Sequence, residues 1–230
     1  MKKFFLSFVA ILASLLAAIN SSQANTVYAL GVGFSVDANT LDAINAATTF
    51  YNLAGADHGA GLPSSLGATI NVNQGGSLLL AGATAKTWQS STDSANSVTL
   101  FYRVYESGTA LASRPSFTSY SILYSNQWNP DGNVNKYWTS TSNPGTVNLL
   151  SGLTAGTIAT PKTYTIELYG EGAFTWSNGG NSGAFSSYVN NSSNPNNYTT
   201  QFNLVPEPSA ASLMAVGAAG LLALRRRRNA

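Results

Sequence analysis

Cysteine is absent from the chain, and His58 is the only histidine among its 230 residues. Without cysteine the chain forms no disulfide, and a zinc site built from Cys and His ligands is excluded. A catalytic triad would depend on His58 alone, and this histidine lies in the glycine-containing segment 57–61, which is typical of a surface loop. We therefore predict no catalytic residue, no metal site and no cofactor.

Charge is also scarce, since Asp, Glu, Lys and Arg together make up 9% of the chain. The formal charge is +2, but six of the eleven basic residues lie at the two termini, in segments 1–24 and 205–230. Between these segments five basic and eight acidic residues remain, a formal charge of −3. The basic character therefore belongs to the termini. No clustered basic face for nucleic acid is predicted, and nucleic acid is not expected as a partner.

Glutamate is rare in the middle of the chain, where only Glu106, Glu167 and Glu171 occur. A glycosidase would need two carboxylates about 5–9.5 Å apart in a cleft. Glu106 ends one predicted strand and Glu167 lies within another, so the two would be able to meet on a sheet face. No pattern indicates a cleft around them, and we predict that the protein is not an enzyme.

The N-terminus has the pattern of a secretory signal peptide. Lys2 and Lys3 form a basic start, residues 4–19 are apolar apart from two serines, and residues 20–24 are small or polar. This order predicts a signal peptide over residues 1–24, with cleavage between Ala24 and Asn25. The alternative is an uncleaved N-terminal anchor.

The C-terminus carries a short apolar segment followed by a cluster of cations. Residues 210–224 contain no charge, and as a helix they would span about 22 Å against about 30 Å for a bilayer core. The cations that follow are Arg225, Arg226, Arg227 and Arg228. Because each arginine is costly to move through a membrane, the cluster is expected to stay on the cytoplasmic side as a stop signal. A plain C-terminal membrane anchor is the alternative.

Pro206, Glu207 and Pro208 precede this apolar segment, and the two prolines favour an extended backbone just outside the membrane. Pro-Glu-Pro, a short apolar helix and a terminal arginine cluster together resemble the PEP-CTERM sorting signal of Gram-negative bacteria, over residues 205–230. The resemblance implies that an exosortase-type membrane protease removes the tail while residues 210–224 reside transiently in the inner membrane. It implies export through the inner membrane, with delivery after processing to the cell surface or to the extracellular polysaccharide of a biofilm.

Between the two termini, residues 25–204 are predicted to form one exported domain with a β pattern. Segments 98–105 and 162–169 alternate between apolar and polar residues, as half-buried strands do. Glycine and asparagine at 73–76, between two further strand patterns, predict a hairpin. Residues 174–197 are rich in Gly, Ser and Asn and are predicted to be long loops. Segment 40–53 mixes helix and strand signals.

The predicted fold class is all-β, a single β-sandwich between the N-terminal signal peptide and the C-terminal transmembrane sorting helix. Segments 100–105, 149–156 and 163–169 resemble late strands of immunoglobulin-like or fibronectin-like bacterial surface modules, although residues 157–161 separate the turn from the strand that follows it. A jelly-roll-like sandwich is the alternative.

Four tryptophans lie in or near predicted loops: Trp88, Trp128, Trp138 and Trp176. Exposed indole rings stack on sugars, so these residues are candidates for glycan stacking, and packing within the core is the alternative. We predict an exported structural or adhesive component that associates with extracellular polysaccharide. A carbohydrate-binding module that uses these aromatic side chains is the alternative function.

Overall fold

The structure is a computed structural model that describes residues 25–37, 47–55, 58–71, 76–128, 134–140, 145–151, 153, 160–189 and 197–205. The predicted signal peptide, the Pro-Glu-Pro motif, the apolar segment 210–224 and the arginine cluster lie outside these residues. Within the described part of the chain, no helix has the length and apolar character that a membrane crossing requires.

The described residues are almost entirely β, as predicted, and they form two sheets. One 3-10 turn, Leu111–Ser113, lies between β5 and β6. The strands in chain order are β1 Thr26–Asp37, β2 Thr49–Ala54, β3 Ser65–Asn71, β4 Ser77–Gln89, β5 Ser94–Glu106, β6 Thr118–Ile122, β7 Tyr124–Trp128, β8 Val134–Ser140, β9 Val147–Asn148, β10 Lys162–Asn178, β11 Asn181–Val189 and β12 Tyr198–Val205.

Sheet A has the order β2-β1-β4-β8-β7, and β9 also pairs with β4. Sheet B has the order β3-β12-β10-β5-β6, and β11 also pairs with β10. The strand pairs are antiparallel except for β3 and β12, which run parallel. The predicted alternation in segments 98–105 and 162–169 is confirmed, since Leu100, Ile166 and Leu168 are fully buried. These two segments belong to β5 and β10, the central pair of sheet B.

Both sheets contribute to one hydrophobic cluster, which includes Phe34 and Leu80 from sheet A and Ile166 and Phe202 from sheet B. Strand β1 approaches β10 closely where β10 carries glycine. A Cβ atom added to Gly170 would lie 2.5 Å from Leu30 Cδ2. A Cβ atom added to Gly172 would lie 2.5 Å from Val27 Cγ2. The two glycines therefore leave the space that the side chains of β1 fill.

The predicted hairpin around residues 73–76 is wrong. Strand β3 pairs with β12 in sheet B, whereas β4 pairs with β1, β8 and β9 in sheet A. The backbone does turn here, because the Gly76 N–H donates to the Asn71 carbonyl at 2.9 Å. A turn signal indicates only that the backbone changes direction locally. It does not indicate whether the two flanking strands pair with each other, and here they belong to different sheets.

The prediction that residues 174–197 form long loops is also wrong for most of that segment. Strands β10 and β11 form a regular hairpin that pairs from Gly170↔Val189 to Asn178↔Asn181. Gly179 and Gly180 form its two-residue turn with φ of 57° and 88°. Two positive φ angles in succession suit a type I′ turn, which glycine adopts without steric cost. The Ser, Gly and Asn composition of the hairpin conceals its alternation.

Candidate binding face on sheet B

Glu167 lies in the middle of β10 on the side of sheet B that faces away from the core, yet it is only 4% exposed. Its carboxylate accepts two parallel bonds from Arg103, from Nε and Nη2 at 2.9 Å each. The Tyr105 hydroxyl donates to it at 2.9 Å, and Asn197 Nδ2 donates at 2.7 Å. Arg114 Nη1 adds a contact at 3.2 Å. The carboxylate is thus saturated with donors.

Aromatic rings lie against both guanidinium groups. Arg103 lies 4.2 Å from the centre of the Phe117 ring, and Arg114 lies 4.6 Å from the centre of the Tyr105 ring. Guanidinium groups stack well on aromatic faces, so each cation is held on one side by a ring and on the other by the carboxylate. The side chain of Arg114 remains 28% exposed. Two cations on one carboxylate leave one positive charge in excess.

The connection between β5 and β6 folds over this charge cluster. Arg103 Nη1 donates to the Pro115 carbonyl at 3.3 Å, and Arg114 Nε donates to the Thr109 carbonyl at 3.2 Å. The Thr109 hydroxyl in turn donates to the Glu106 carbonyl at 2.6 Å. The connection is therefore fastened to sheet B through the arginines, which explains why an outward-facing glutamate is buried.

The environment of Glu167 shifts two pKa values in opposite directions. Burial alone would raise the pKa of the Glu167 carboxyl, but hydrogen bonds from Asn197, Tyr105 and Arg103, with the charge of Arg103, outweigh it and lower the pKa. Burial, the hydrogen bond to Glu167 and the Glu167 charge together raise the pKa of the Tyr105 hydroxyl to about 12, against the opposing charges of Arg114 and Arg103. At neutral pH the cluster is therefore a carboxylate, a neutral phenol and two guanidinium ions.

We expect acid to destabilise the protein through Glu167. Because the folded pKa of this carboxyl lies below its unfolded value, its contribution to stability is complete above the unfolded pKa and is lost as pH falls through the folded pKa. Melting temperatures measured between about pH 3 and pH 7 should fall more steeply for the wild type than for Glu167→Gln at the acid end. Parallel curves for the two proteins would contradict this assignment.

A row of aromatic side chains crosses the same face of sheet B, and we call it the aromatic band: Phe101, Phe117, Tyr169 and Tyr188. The Phe101 and Tyr169 rings stack with centres 4.7 Å apart, and Phe117 meets Tyr169 edge-on at 4.8 Å. Tyr188 lies 6.5 Å from Tyr169 and is 58% exposed. The band thus runs from the Arg103 cluster to an exposed ring on β11.

The structure does not bring Glu106 and Glu167 together. Cross-strand register places Glu106 opposite Tyr164, on the side of sheet B that faces the core. Glu167 lies opposite Arg103, on the outer side. Glu106 forms an ion pair with Lys162 at 2.7 Å. Glu171 accepts a hydrogen bond from the Ser186 hydroxyl. The two carboxylates considered for glycoside chemistry therefore lie on opposite sides of the sheet.

His58 lies in a loop, as predicted, but its ring is packed against sheet A. Its Nε2 lies 2.8 Å from the Thr84 hydroxyl, and its ring centre is 5.0 Å from that of Phe50. A Cβ atom added to Gly31 of β1 would lie 2.4 Å from His58 Cδ2. The histidine thus covers a glycine in the sheet and has a packing role that the loop composition did not indicate.

Each of the four tryptophans lies in a strand. Trp138 is buried in the shared core, where its indole N–H donates to the Thr87 hydroxyl at 3.0 Å. Trp88 is half-buried on β4, and Trp176 is exposed on β10 of the other sheet. Trp128 ends β7, in the same cross-strand row as Trp88 with Asn135 between them. A buried indole offers no ring face to a sugar, so Trp138 belongs to the core.

The sequence pattern did not identify the Glu167 cluster or the aromatic band as a site. Alternation in 98–105 and 162–169 does place Phe101, Arg103 and Glu167 on outward faces. The signal that would have found the cluster is a pair of opposite charges, Arg103 on one central strand and Glu167 on the other, in a chain with few charges. These groups meet because of the strand register and the path of the β5–β6 connection. Alternation of apolar and polar residues specifies neither of these.

Comparison of the chain with protein-family models, with curated proteins and with solved structures finds no match. Among the described residues, no three His, Asp or Glu side chains gather as a metal site would require.

Proposed function

We propose that this chain is an exported β-protein, sorted by its C-terminal signal and processed by an exosortase-type membrane protease. Its role is that of a structural or adhesive component at the cell surface or in extracellular polysaccharide. The observation that carries the proposal is the order of Pro206–Pro208, the apolar segment 210–224 and the four arginines at the C-terminal end. Fifteen apolar residues form a short span, and the arginines oppose its translocation.

The bounds of the folded part are compatible with both proposed cleavages. Asn25, the residue after the proposed signal peptide, is buried, and its side chain bonds to the Ser90 N–H at 3.1 Å and to Asp93 at 2.8 Å. At the other end β12 runs to Val205, and Leu204 is fully buried. Cleavage after Ala24 and cleavage beyond Val205 would both leave every described strand in the mature protein.

We also propose that the two sheets form a single β-sandwich, the architecture that the sequence predicts for residues 25–204. The shared hydrophobic cluster and the contacts of Leu30 with Gly170 and of Val27 with Gly172 support this arrangement. Such a domain, rich in Ser, Thr, Asn and Gly and with few charges, suits a structural role in a polysaccharide matrix.

Intact-mass measurement of the protein from the producing cells tests the sorting proposal. In normal cells the mass should exclude Arg225–Arg228, and in cells without the protease it should include them. Replacing Pro206, Glu207 and Pro208 with alanine should abolish processing, because the motif that the protease reads is lost. Ser209→Ala is the matched control and should be processed normally. Retention of the tail in normal cells would leave only the plain anchor.

Carbohydrate binding is the second candidate function. The aromatic band supports it better than the four tryptophans do. Tyr188 presents a ring that is 58% exposed, and the band leads from it to the partly exposed guanidinium of Arg114. Aromatic faces stack on sugar rings, while guanidinium groups donate to hydroxyl and carboxylate oxygens. The exposed ring lies at one end of the band and the cation lies at the other, on one sheet face, which suits an extended polysaccharide chain.

Titration with neutral and acidic polysaccharides tests this second function. Tyr188→Ala should weaken binding about threefold to tenfold, since one stacking ring is lost. Tyr124→Ala removes a similarly exposed tyrosine from sheet A and is the matched control. Equal affinity of the wild type and Tyr188→Ala, or no binding of any polysaccharide by the wild type, would reject carbohydrate binding through the band.

A further inference from the structure

Strand β11, Asn181–Val189, forms a regular edge of sheet B. It pairs with β10 at nine consecutive positions without a register shift. On the same side of β10, β12 occupies the positions from Lys162 to Leu168, so β11 continues the line of β12. Among the described residues no strand pairs with the outer side of β11. Its outward N–H and C=O groups therefore present a nine-residue template for another strand.

The other sheet edges each carry a feature that discourages pairing with a further strand. The edge of β2 is occupied, because the Asn52 N–H donates to the Ala60 carbonyl and the Leu62 N–H to the Asn52 carbonyl. Strand β3 contains Gly67 at a φ of 66° and pairs irregularly with β12. Strand β7 has a register shift, β6 has only five residues and β9 has only two. Short, bulged and covered edges are the usual protections. Within the described part of the chain β11 is neither short nor bulged, and β1 contacts it at Ser187 without pairing with it, the Thr26 and Ser187 hydroxyls lying 3.4 Å apart.

The residues of β11 also favour pairing between identical strands. The sequence Asn-Ser-Gly-Ala-Phe-Ser-Ser-Tyr-Val contains no charge and no proline. Two copies can therefore approach without like-charge repulsion and without losing a backbone donor. Phe185 is 37% exposed, and its ring stacks on Phe174 of β10 with centres 5.4 Å apart.

We infer that β11 pairs with β11 of a second copy of this chain, antiparallel about a two-fold axis beside Phe185. Sheet B then continues across the interface, and the Phe185 side chains of the two copies lie directly opposite each other. Each Phe185 already stacks on its own Phe174, so the pairing forms a row of four rings on one face. Gly183 of each copy lies opposite Ser187 of the other, and the Trp176 ring of β10 covers that glycine, since a Cβ atom added there would lie 2.6 Å from Trp176 Nε1. The same surface serves both copies, as two-fold symmetry requires.

The interface is small, because one strand pair buries less than the roughly 1,200 Å² of a standard stable complex. The dimer is therefore weak and depends on concentration. It forms where copies are concentrated, and it requires neither the sorting signal nor a glycan ligand. Its test is independent of both proposed functions.

Sedimentation velocity of the protein isolated from the producing cells, from about 10 µM to about 1 mM, tests the inference. The wild type should shift from monomer to dimer over this range. Ala184→Lys places a charge on the exposed face of β11 and should keep the protein monomeric, since an edge lysine opposes strand pairing. Ser119→Lys adds the same charge to exposed edge strand β6 and should dimerise like the wild type. A wild type that stays monomeric, or an Ala184→Lys variant that dimerises normally, overturns the inference.

A single-cysteine variant tests the register without interference, because the chain has no cysteine of its own. Directly opposite residues have Cβ atoms about 4.5–5.5 Å apart, close to disulfide distance. Mild oxidation of Phe185→Cys should therefore give a covalent dimer on a non-reducing gel. Ser119→Cys, treated in the same way, should remain a monomer. Equal cross-linking of the two variants, or none in Phe185→Cys, contradicts pairing about Phe185.

Discussion

Replacing Glu167 with alanine should lower the free energy of unfolding by roughly 3 kcal/mol, because it leaves Arg103 and Arg114 beside each other without their carboxylate. Arg103 loses two bonds of 2.9 Å, and Tyr105 and Asn197 each lose an acceptor. A loss of this size corresponds to a fall of about 10 °C in the melting temperature of a domain of this length. Chemical denaturation at neutral pH would measure it directly.

Glu171→Ala is the matched control for that experiment. Glu171 lies on the same strand and the same outer face, but it accepts its hydrogen bond from the exposed Ser186 hydroxyl. Its removal should cost less than about 1 kcal/mol. If both variants lose equal stability, the cluster around Glu167 is not the fastening point of the β5–β6 connection.

Gly170→Val should destabilise the protein by roughly 3 kcal/mol, because the two sheets are in contact at this glycine. The first added carbon would already lie 2.5 Å from Leu30 Cδ2, and Leu30 is itself buried. Because Leu30 lies in the close-packed core, making room for the valine must displace the neighbours of Leu30, separate the sheets or shift the strand. Thermal unfolding followed by circular dichroism would measure the loss.

Gly59→Val is the matched control, since a Cβ atom added there meets nothing within 4 Å. It should change the stability by less than about 0.5 kcal/mol. A combined variant, Gly170→Ala with Leu30→Ala, should lose less stability than the sum of the two single variants, because it removes the side chain that the new carbon meets. Additive losses in the double variant would place the damage elsewhere than at this contact.

Much of the strand content was predictable from alternation alone. Segments 98–105 and 162–169 became the central strands β5 and β10, with the predicted side of each facing the core. Turn chemistry was less reliable, because 73–76 connects two sheets and Gly179–Gly180 closes a hairpin within a segment that composition assigned to loops. A turn signal is local, whereas the partner of a strand is decided by which apolar face it must cover.

The candidate site shows the same division. Alternation identified Phe101, Arg103 and Glu167 as outward residues, but it did not indicate that Glu167 is buried. That burial depends on Arg114 and Asn197, which come from distant parts of the chain and converge only when the β5–β6 connection folds back. The prediction that the tryptophans are candidates for glycan stacking has the same limit. The sequence does not distinguish Trp138, which is buried in the core, from an exposed tryptophan.

The sequence by itself determined the all-β class, which side of β5 and β10 faces the core, and the order of the terminal segments on which the sorting proposal depends. These properties follow from contiguous residues, through side-chain periodicity, charge and apolar length. Only the tertiary structure decided which strands share a sheet, that donors on Arg103, Arg114, Tyr105 and Asn197 saturate Glu167, and that no strand among the described residues pairs with the outer side of β11. The physical reason is that pairing and burial depend on contacts between residues far apart in the chain, which local patterns do not specify.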